Sequence, residues 1–99
     1  MGLKQLLSEE GIEVIERAGA LLLNYESLLK ALDVLLANDI RVLGIEGFHL
    51  RGMSLIPDAD MIVDASAATS AIESVDAIRE VVTGCHDGER LYELVTATD

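Results

Sequence analysis

Three aspartates crowd the segment Ile56-Pro57-Asp58-Ala59-Asp60-Met61-Ile62-Val63-Asp64. If the segment is a strand, Asp58 and Asp60 share one side, with carboxylates close enough to repel. Such a pair can hold a hard cation, raise one carboxyl pKa for acid–base work, or receive arginines from a partner. Glu46, on the preceding apolar run, is a further acid of the same group. The spacing is not that of a calcium loop, which needs a glutamate at its twelfth position. Two readings stand beside the metal one: a solvent-facing strand side followed by Asp64 as a helix cap, and a docking surface for a partner.

Other residues with chemical potential are more easily placed. Cys85-His86-Asp87 has a nucleophile, a base and a carboxylate in a row. Adjacent loop residues rarely point at one another, and catalytic Cys and His are usually distant in sequence, so this reads as a polar turn. His49 alternates out of an apolar strand and reads as a surface or internally satisfied residue. Zinc needs three or four nitrogen or sulfur ligands, and two histidines with one cysteine are a thin supply. No metal and no cofactor is expected. Gly44, Glu46 and Gly47 have no phosphate-loop spacing; glycines inside a strand mark a bulge or a close backbone approach.

These residues sit in a small acidic chain. Its 99 residues carry 18 acidic against 7 basic side chains, a formal net charge of −11. A field of that sign repels nucleic acid and anionic membranes and steers the chain towards basic partners. The plain alternative is that acidity only keeps the protein soluble. Hydrophobic residues make up 51% of the chain and aromatics 3%, so the core of a single domain, 1–99, must be aliphatic. The single cysteine excludes an internal disulfide framework and fits a reducing compartment. No apolar run approaches the roughly 18 residues that span a bilayer. The opening MGLKQLLSEEG lacks a signal peptide's apolar segment, and Leu6 stands where a myristoylation motif wants Ser or Thr. A cytoplasmic protein is expected.

The elements that must position the acids are set by periodicity. Ile12, Ile15 and Ala18 suggest a short helix near 9–18, with Leu21-Leu22-Leu23 an apolar connector. Asn24 is an N-cap before a helix whose stripe is Leu28, Leu29, Leu32, Leu35 and Leu36, and Asn38 suits the left-handed position after it. Residues 41–50 read as a strand buried on both faces, Arg51-Gly52-Met53-Ser54 as a turn, and 55–63 as a returning strand. Pro57 places that strand at an edge or a bulge. Ser70 with Glu73 forms a capping box before a helix with apolar face Ala68, Ala71, Ile72, Val75, Ile78 and Val82, ending at Gly84. Residues 90–96 close the fold as a strand. The expectation is an α+β fold in the order α-α-β-β-α-β. Its three-stranded antiparallel sheet has the order 2-1-3, with helices packed on it.

From Tyr25 to Phe48, YESLLKALDVLLANDIRVLGIEGF, the chain resembles small immunity proteins of bacterial polymorphic toxin systems, most closely the immunity protein 40 family. That family has an Ala- and Leu-rich amphipathic helix and an "ILGGDVY"-like strand. After a turn come a strand with an "xPTYDNW"-like segment, a helix and a final strand. Val42-Leu43-Gly44-Ile45-Glu46-Gly47-Phe48 matches the first strand in outline, with Gly44 at the first glycine and Ile45 replacing the second. Ile56-Pro57-Asp58-Ala59-Asp60-Met61 stands at the proline-containing segment. The resemblance implies a non-enzymatic inhibitor that binds a basic toxin domain, often a nuclease. Its expected contacts are Glu46, Asp58, Asp60 and Asp64, with Phe48 and Tyr92 as anchors. A self-associating module that forms a homodimer, with no toxin partner, is the alternative.

Overall fold

Short polar side chains set where the two long helices of this chain begin. The computed structural model describes residues 2–85 and 88–97. The chain runs α1 (Leu3–Glu9), β1 (Ile15–Arg17), β2 (Ala20–Leu22), α2 (Tyr25–Ala37), β3 (Val42–Arg51), β4 (Ser54–Asp64), α3 (Ala71–Gly84) and β5 (Leu91–Thr96). The fold is α+β, with β4-β3-β5 forming a three-stranded antiparallel sheet. That is the expected 2-1-3 order with the apolar strand in the centre, and Pro57 does lie on an edge strand.

Helix α2 begins where Asn24 Oδ1 accepts the Ser27 N–H at 2.8 Å, a cap worth about 1 kcal/mol. Leu28, Ala31, Leu32 and Leu35 form its buried stripe. Its end corrects the expectation for Asn38: the left-handed residue is Asp39, at φ 54°. Asp39 N–H bonds to Leu36 O at 3.1 Å and Ile40 N–H to Leu35 O at 2.9 Å. This is a Schellman closure, and it returns Ile40 onto the core. Aspartate tolerates that conformation because its short side chain can bond locally.

Helix α3 is capped by Ser70, whose Oγ accepts the Glu73 N–H at 3.2 Å. The reciprocal bond is displaced one residue outward, with Glu73 Oε2 accepting from the N–H and hydroxyl of Thr69. Ile72, expected on the buried face, is exposed, while the buried side runs through Ala71, Ser74, Val75, Ile78 and Val82. The wholly buried Ser74 accepts the Val42 N–H at 2.9 Å and donates to Ala71 O. It pins α3 to the start of β3. Between the helices and one sheet face lies the main core, centred on Leu28, Leu32, Ile45, Val75, Tyr92 and Leu94.

The first 24 residues differ most from expectation. Helix α1 ends at Glu9, where the expected helix near 9–18 was to begin, and Gly11 at φ 70° turns the chain. The chain then forms a hairpin, β1 against β2, with Ile15 opposite Leu22 and Arg17 opposite Ala20. Its turn residues Ala18 and Gly19 have φ 51° and 81°, the double-positive pattern of a type I′ turn. The Leu21–Leu23 segment is therefore no connector. Leu22 belongs to β2, and Leu23 exchanges both backbone bonds with Tyr92 at 2.8 Å. This stitches the hairpin beside β5 and lays Leu22 over Phe48 and Leu91 in a second small core.

Alanine is a poor choice at Ala18, because a Cβ in the left-handed region costs about 1–2 kcal/mol. Ala18→Gly is expected to stabilise the fold by about 0.5–1 kcal/mol, after subtracting glycine's extra unfolded-chain entropy. Urea unfolding should show a raised midpoint with an unchanged slope.

Candidate functional site

Strand β4 leaves its ladder in the middle of the aspartate segment. Ile62 pairs with Glu46, but the next residue of β3, Gly47, pairs with Asp58, so residues 59–61 are extra. Strand alternation does not carry across such an insertion, and the expected same-side pairing of Asp58 with Asp60 does not hold. Asp58 turns inward and is half-buried, whereas Asp60 is exposed. The Asp60 N–H donates to Asp58 Oδ1 at 3.0 Å and closes the turn. Met61 folds into the main core above Gly47. A Cβ on Gly47 would lie 2.8 Å from Met61 Cβ and 2.9 Å from Arg90 Cδ. The glycine is there because two neighbouring side chains fill its space.

Asp58 is the hub of an internal charge cluster. Its Oδ2 accepts from Arg90 Nε at 2.9 Å and lies 3.0 Å from His49 Nε2. The side chains of Asp58 and Arg90 are only 12% and 10% exposed. Arg90 also donates from Nη1 to the Cys85 carbonyl at 2.9 Å. The Asp60 backbone bond, followed by the bonds from Arg90 and His49, holds the Asp58 carboxyl below the usual carboxylate range against the opposing effect of burial. An ionised carboxylate only accepts, so His49 Nε2 carries the proton in their hydrogen bond. Burial works against the Arg90 charge, but Tyr92 and Asp58 outweigh it and raise its pKa above the ordinary value. The cluster is a lock between β3, β4 and the start of β5. Asp58 has no proton to donate at neutral pH, and both of its oxygens already accept hydrogen bonds.

Three expected contact residues therefore change role. Asp58 is committed to Arg90 and His49. Phe48 is buried beneath the β1–β2 hairpin, and Tyr92 lies in the main core with no exposed surface. The other three, Glu46, Asp60 and Asp64, reach the surface. Asp64 accepts the Ser66 hydroxyl and N–H, and those bonds, in that order of effect, hold its carboxyl below the usual range.

Glu46 and Asp64 stand on the sheet face opposite the helices, at the end the hairpin leaves open. The cross-strand rows there are Ile62–Glu46–Glu93 and Asp64–Gly44–Val95. Ile62 is 59% exposed and Val95 50%. Gly44 forms the floor between them, in close approach to β4: a Cβ would meet the Val63 carbonyl oxygen at 2.8 Å. The result is a shallow depression of about 250 Å³ with an apolar centre and acids around it. Ile62, Glu93 and Val95 were not among the expected contacts. For Glu93 and Val95 the signal was the alternation Leu91-Glu93-Val95 against Tyr92-Leu94 in the closing strand, whereas Ile62 sits in a continuous apolar run that gives none.

Among the described residues, no group of three or more His, Cys, Asp or Glu side chains could hold a metal ion. Cys85 is exposed, and the remainder of Cys85-His86-Asp87 lies outside the described residues. No helix is long and apolar enough to cross a membrane.

Gly47→Ala is expected to destabilise the fold by about 1–3 kcal/mol through overpacking against Met61 and Arg90, measurable by urea denaturation. Asp58 makes the second test. Because its folded-state pKa is lowered, its contribution is present above the unfolded value near pH 4 and is lost as pH falls through the folded one. Asp58→Asn should be less stable than the parent at pH 7, and the two unfolding midpoints should converge on acidification below about pH 4. No family model matches the chain, and no match was found among curated proteins or solved structures.

Proposed function

We propose that the protein is a non-enzymatic, acidic binding protein that acts in the cytoplasm as an immunity protein, neutralising a cognate basic toxin domain by direct contact. The observation that supports this most is the open sheet face, where exposed Ile62 and Val95 lie among Glu46, Asp64 and Glu93. Apolar residues at the centre of a patch provide the desolvated area that holds a complex together, and a charged rim sets partner choice and encounter rate. With a net charge of −11, the long-range field draws a basic surface towards that face. In a nuclease, the Lys and Arg side chains that bind phosphate would be such a surface. The contacts are Glu46, Asp60 and Asp64, as expected from the sequence, with Ile62, Glu93 and Val95 added. Asp58, Phe48 and Tyr92 support the sheet from within.

The test is co-expression with the product of a neighbouring toxin-bearing reading frame. The unaltered chain should restore growth. Glu46→Lys combined with Glu93→Lys should weaken binding by about a hundredfold, on the order of 2.7 kcal/mol, while circular dichroism shows an unchanged fold. Raising the salt concentration should weaken the unaltered complex chiefly through a slower on-rate. Full protection by the charge-reversed variant would remove this face from the interface.

A further inference from the structure

Strand β4 is a sheet edge whose two halves are treated differently. The half before the insertion carries Pro57, which has no N–H to offer, and the insertion at residues 59–61 then breaks the ladder. Both features blunt an edge against pairing with another strand. From Ile62 to Asp64 regular pairing with β3 resumes.

The bond from Ala65 N–H to Leu43 O at 2.8 Å decides which groups face outward along that stretch. Bonded and non-bonded pairs alternate along an antiparallel ladder, so a bonded Leu43–Ala65 pair makes Gly44–Asp64 and Glu46–Ile62 non-bonded pairs. Ile62 and Asp64 therefore turn their backbone N–H and C=O groups away from β3, towards the outside of the sheet. The same two residues place their side chains on the open face. One short stretch thus offers a backbone template next to an apolar and acidic surface.

Charge selects the occupant. A second copy would bring its own Asp60 and Asp64 against these, in a chain of net charge −11, and like charges on neighbouring strands repel. A basic strand meets the opposite situation. We infer that the outer edge at Ile62–Asp64 accepts an extended, basic segment of the protein partner as a fourth strand of the sheet. Backbone bonds to Ile62 and Asp64 supply register, an apolar side chain lies beside Ile62, and Lys or Arg side chains meet Asp60 and Asp64. This inference rests on the acidic-binding reading and adds the geometry of the contact.

The probe is a short alternating Lys-Val peptide, titrated into the ¹⁵N-labelled full chain at low salt. A peptide of the same sequence with alternate backbone nitrogens methylated keeps the charge but loses one pairing edge. The unmethylated peptide should slow hydrogen exchange at the Ile62 and Asp64 amides, and the methylated one should bind about tenfold more weakly, a difference of about 1.4 kcal/mol. Ile62→Pro, which removes an outward N–H without taking a bond from the β3 ladder, should lose more affinity than Ile62→Ala. Equal binding of the two peptides, or no binding of either, overturns strand addition. The acidic-face reading is judged separately, by whether Glu46→Lys with Glu93→Lys still impairs protection against the toxin. A dimer in sedimentation that is lost in Ile62→Pro would also overturn the proposal, by giving the edge to a second copy.

Discussion

No side chain fits above Gly47, and much of the molecule's local geometry depends on that lack of room. Met61 and Arg90 both close over the position, within 2.9 Å of where a Cβ would stand. Met61 reaches it because β4 departs from its ladder over residues 59–61. The same departure takes Asp58 out of strand alternation and turns its carboxylate towards Arg90 and His49. Arg90 in turn holds the Cys85 carbonyl, so one carboxylate ties the end of α3 and the start of β5 to the edge strand. A buried pair of this kind is weak evidence for net stability, since desolvation offsets much of its attraction. Its consequence is positional: with either partner removed, a nearly buried charge is left without its counterion, and the insertion loses what orients it.

The internal cluster also changes how the protein's acidity should be understood. Asp58 looks from sequence like a surface acid, yet it takes up Arg90, one of only seven basic side chains. Lys4 and Arg79 are paired with Glu16 and Asp33 on the outside. The surface is therefore left with a large excess of carboxylates, whose mutual repulsion works against the compact state. A compact fold under that load relies on its aliphatic core, in which α2 and α3 cover one face of the sheet. The excess charge has a second effect, on association. It discourages pairing between copies at the β4 edge, where exposed apolar residues would otherwise promote it.

How much of this was legible in the sequence depended on whether the signal was local. Helix α2 has a strong cap at Asn24 and a buried stripe through Leu28, Leu32 and Leu35, so its start is readable to the residue, although Leu36, expected on the stripe, is exposed. Its end was misplaced by one residue because both Asn38 and Asp39 can occupy the left-handed position and only the hydrogen bonds decide between them. The β1–β2 hairpin was not legible. Its strands are three residues long, and its turn uses Ala-Gly in place of the Asn-Gly or Asp-Gly that marks such a turn. Ile12, Ile15 and Ala18 have helical spacing, but Ile12 closes α1, Ile15 faces Leu22 across the hairpin, and Ala18 is in the turn. In the aspartate segment, Pro57 correctly marked an edge. The insertion is invisible in the sequence because Met61, Ile62 and Val63 are a continuous apolar run, which carries no phase. Without that phase, the inward Asp58 could not be told from the outward Asp60.

The open half of the outer sheet face raises a final question of residue choice. The hairpin buries Phe48 and Leu91 at one end with Leu22, and Leu23 bonds it to β5 at Tyr92. At the other end Ile62 and Val95 are left half or more exposed on either side of Gly44. Strand propensity alone accounts for β-branched residues at these positions, since such side chains fit a pleated surface. Threonine also satisfies that preference and adds less apolar surface to the solvent. The acids around the pair argue in the same direction, because a merely solvated face gains nothing from apolar residues between its carboxylates. What propensity leaves unexplained is the choice of isoleucine and valine over threonine beside a glycine floor, and burial under the partner surface proposed above would account for that choice.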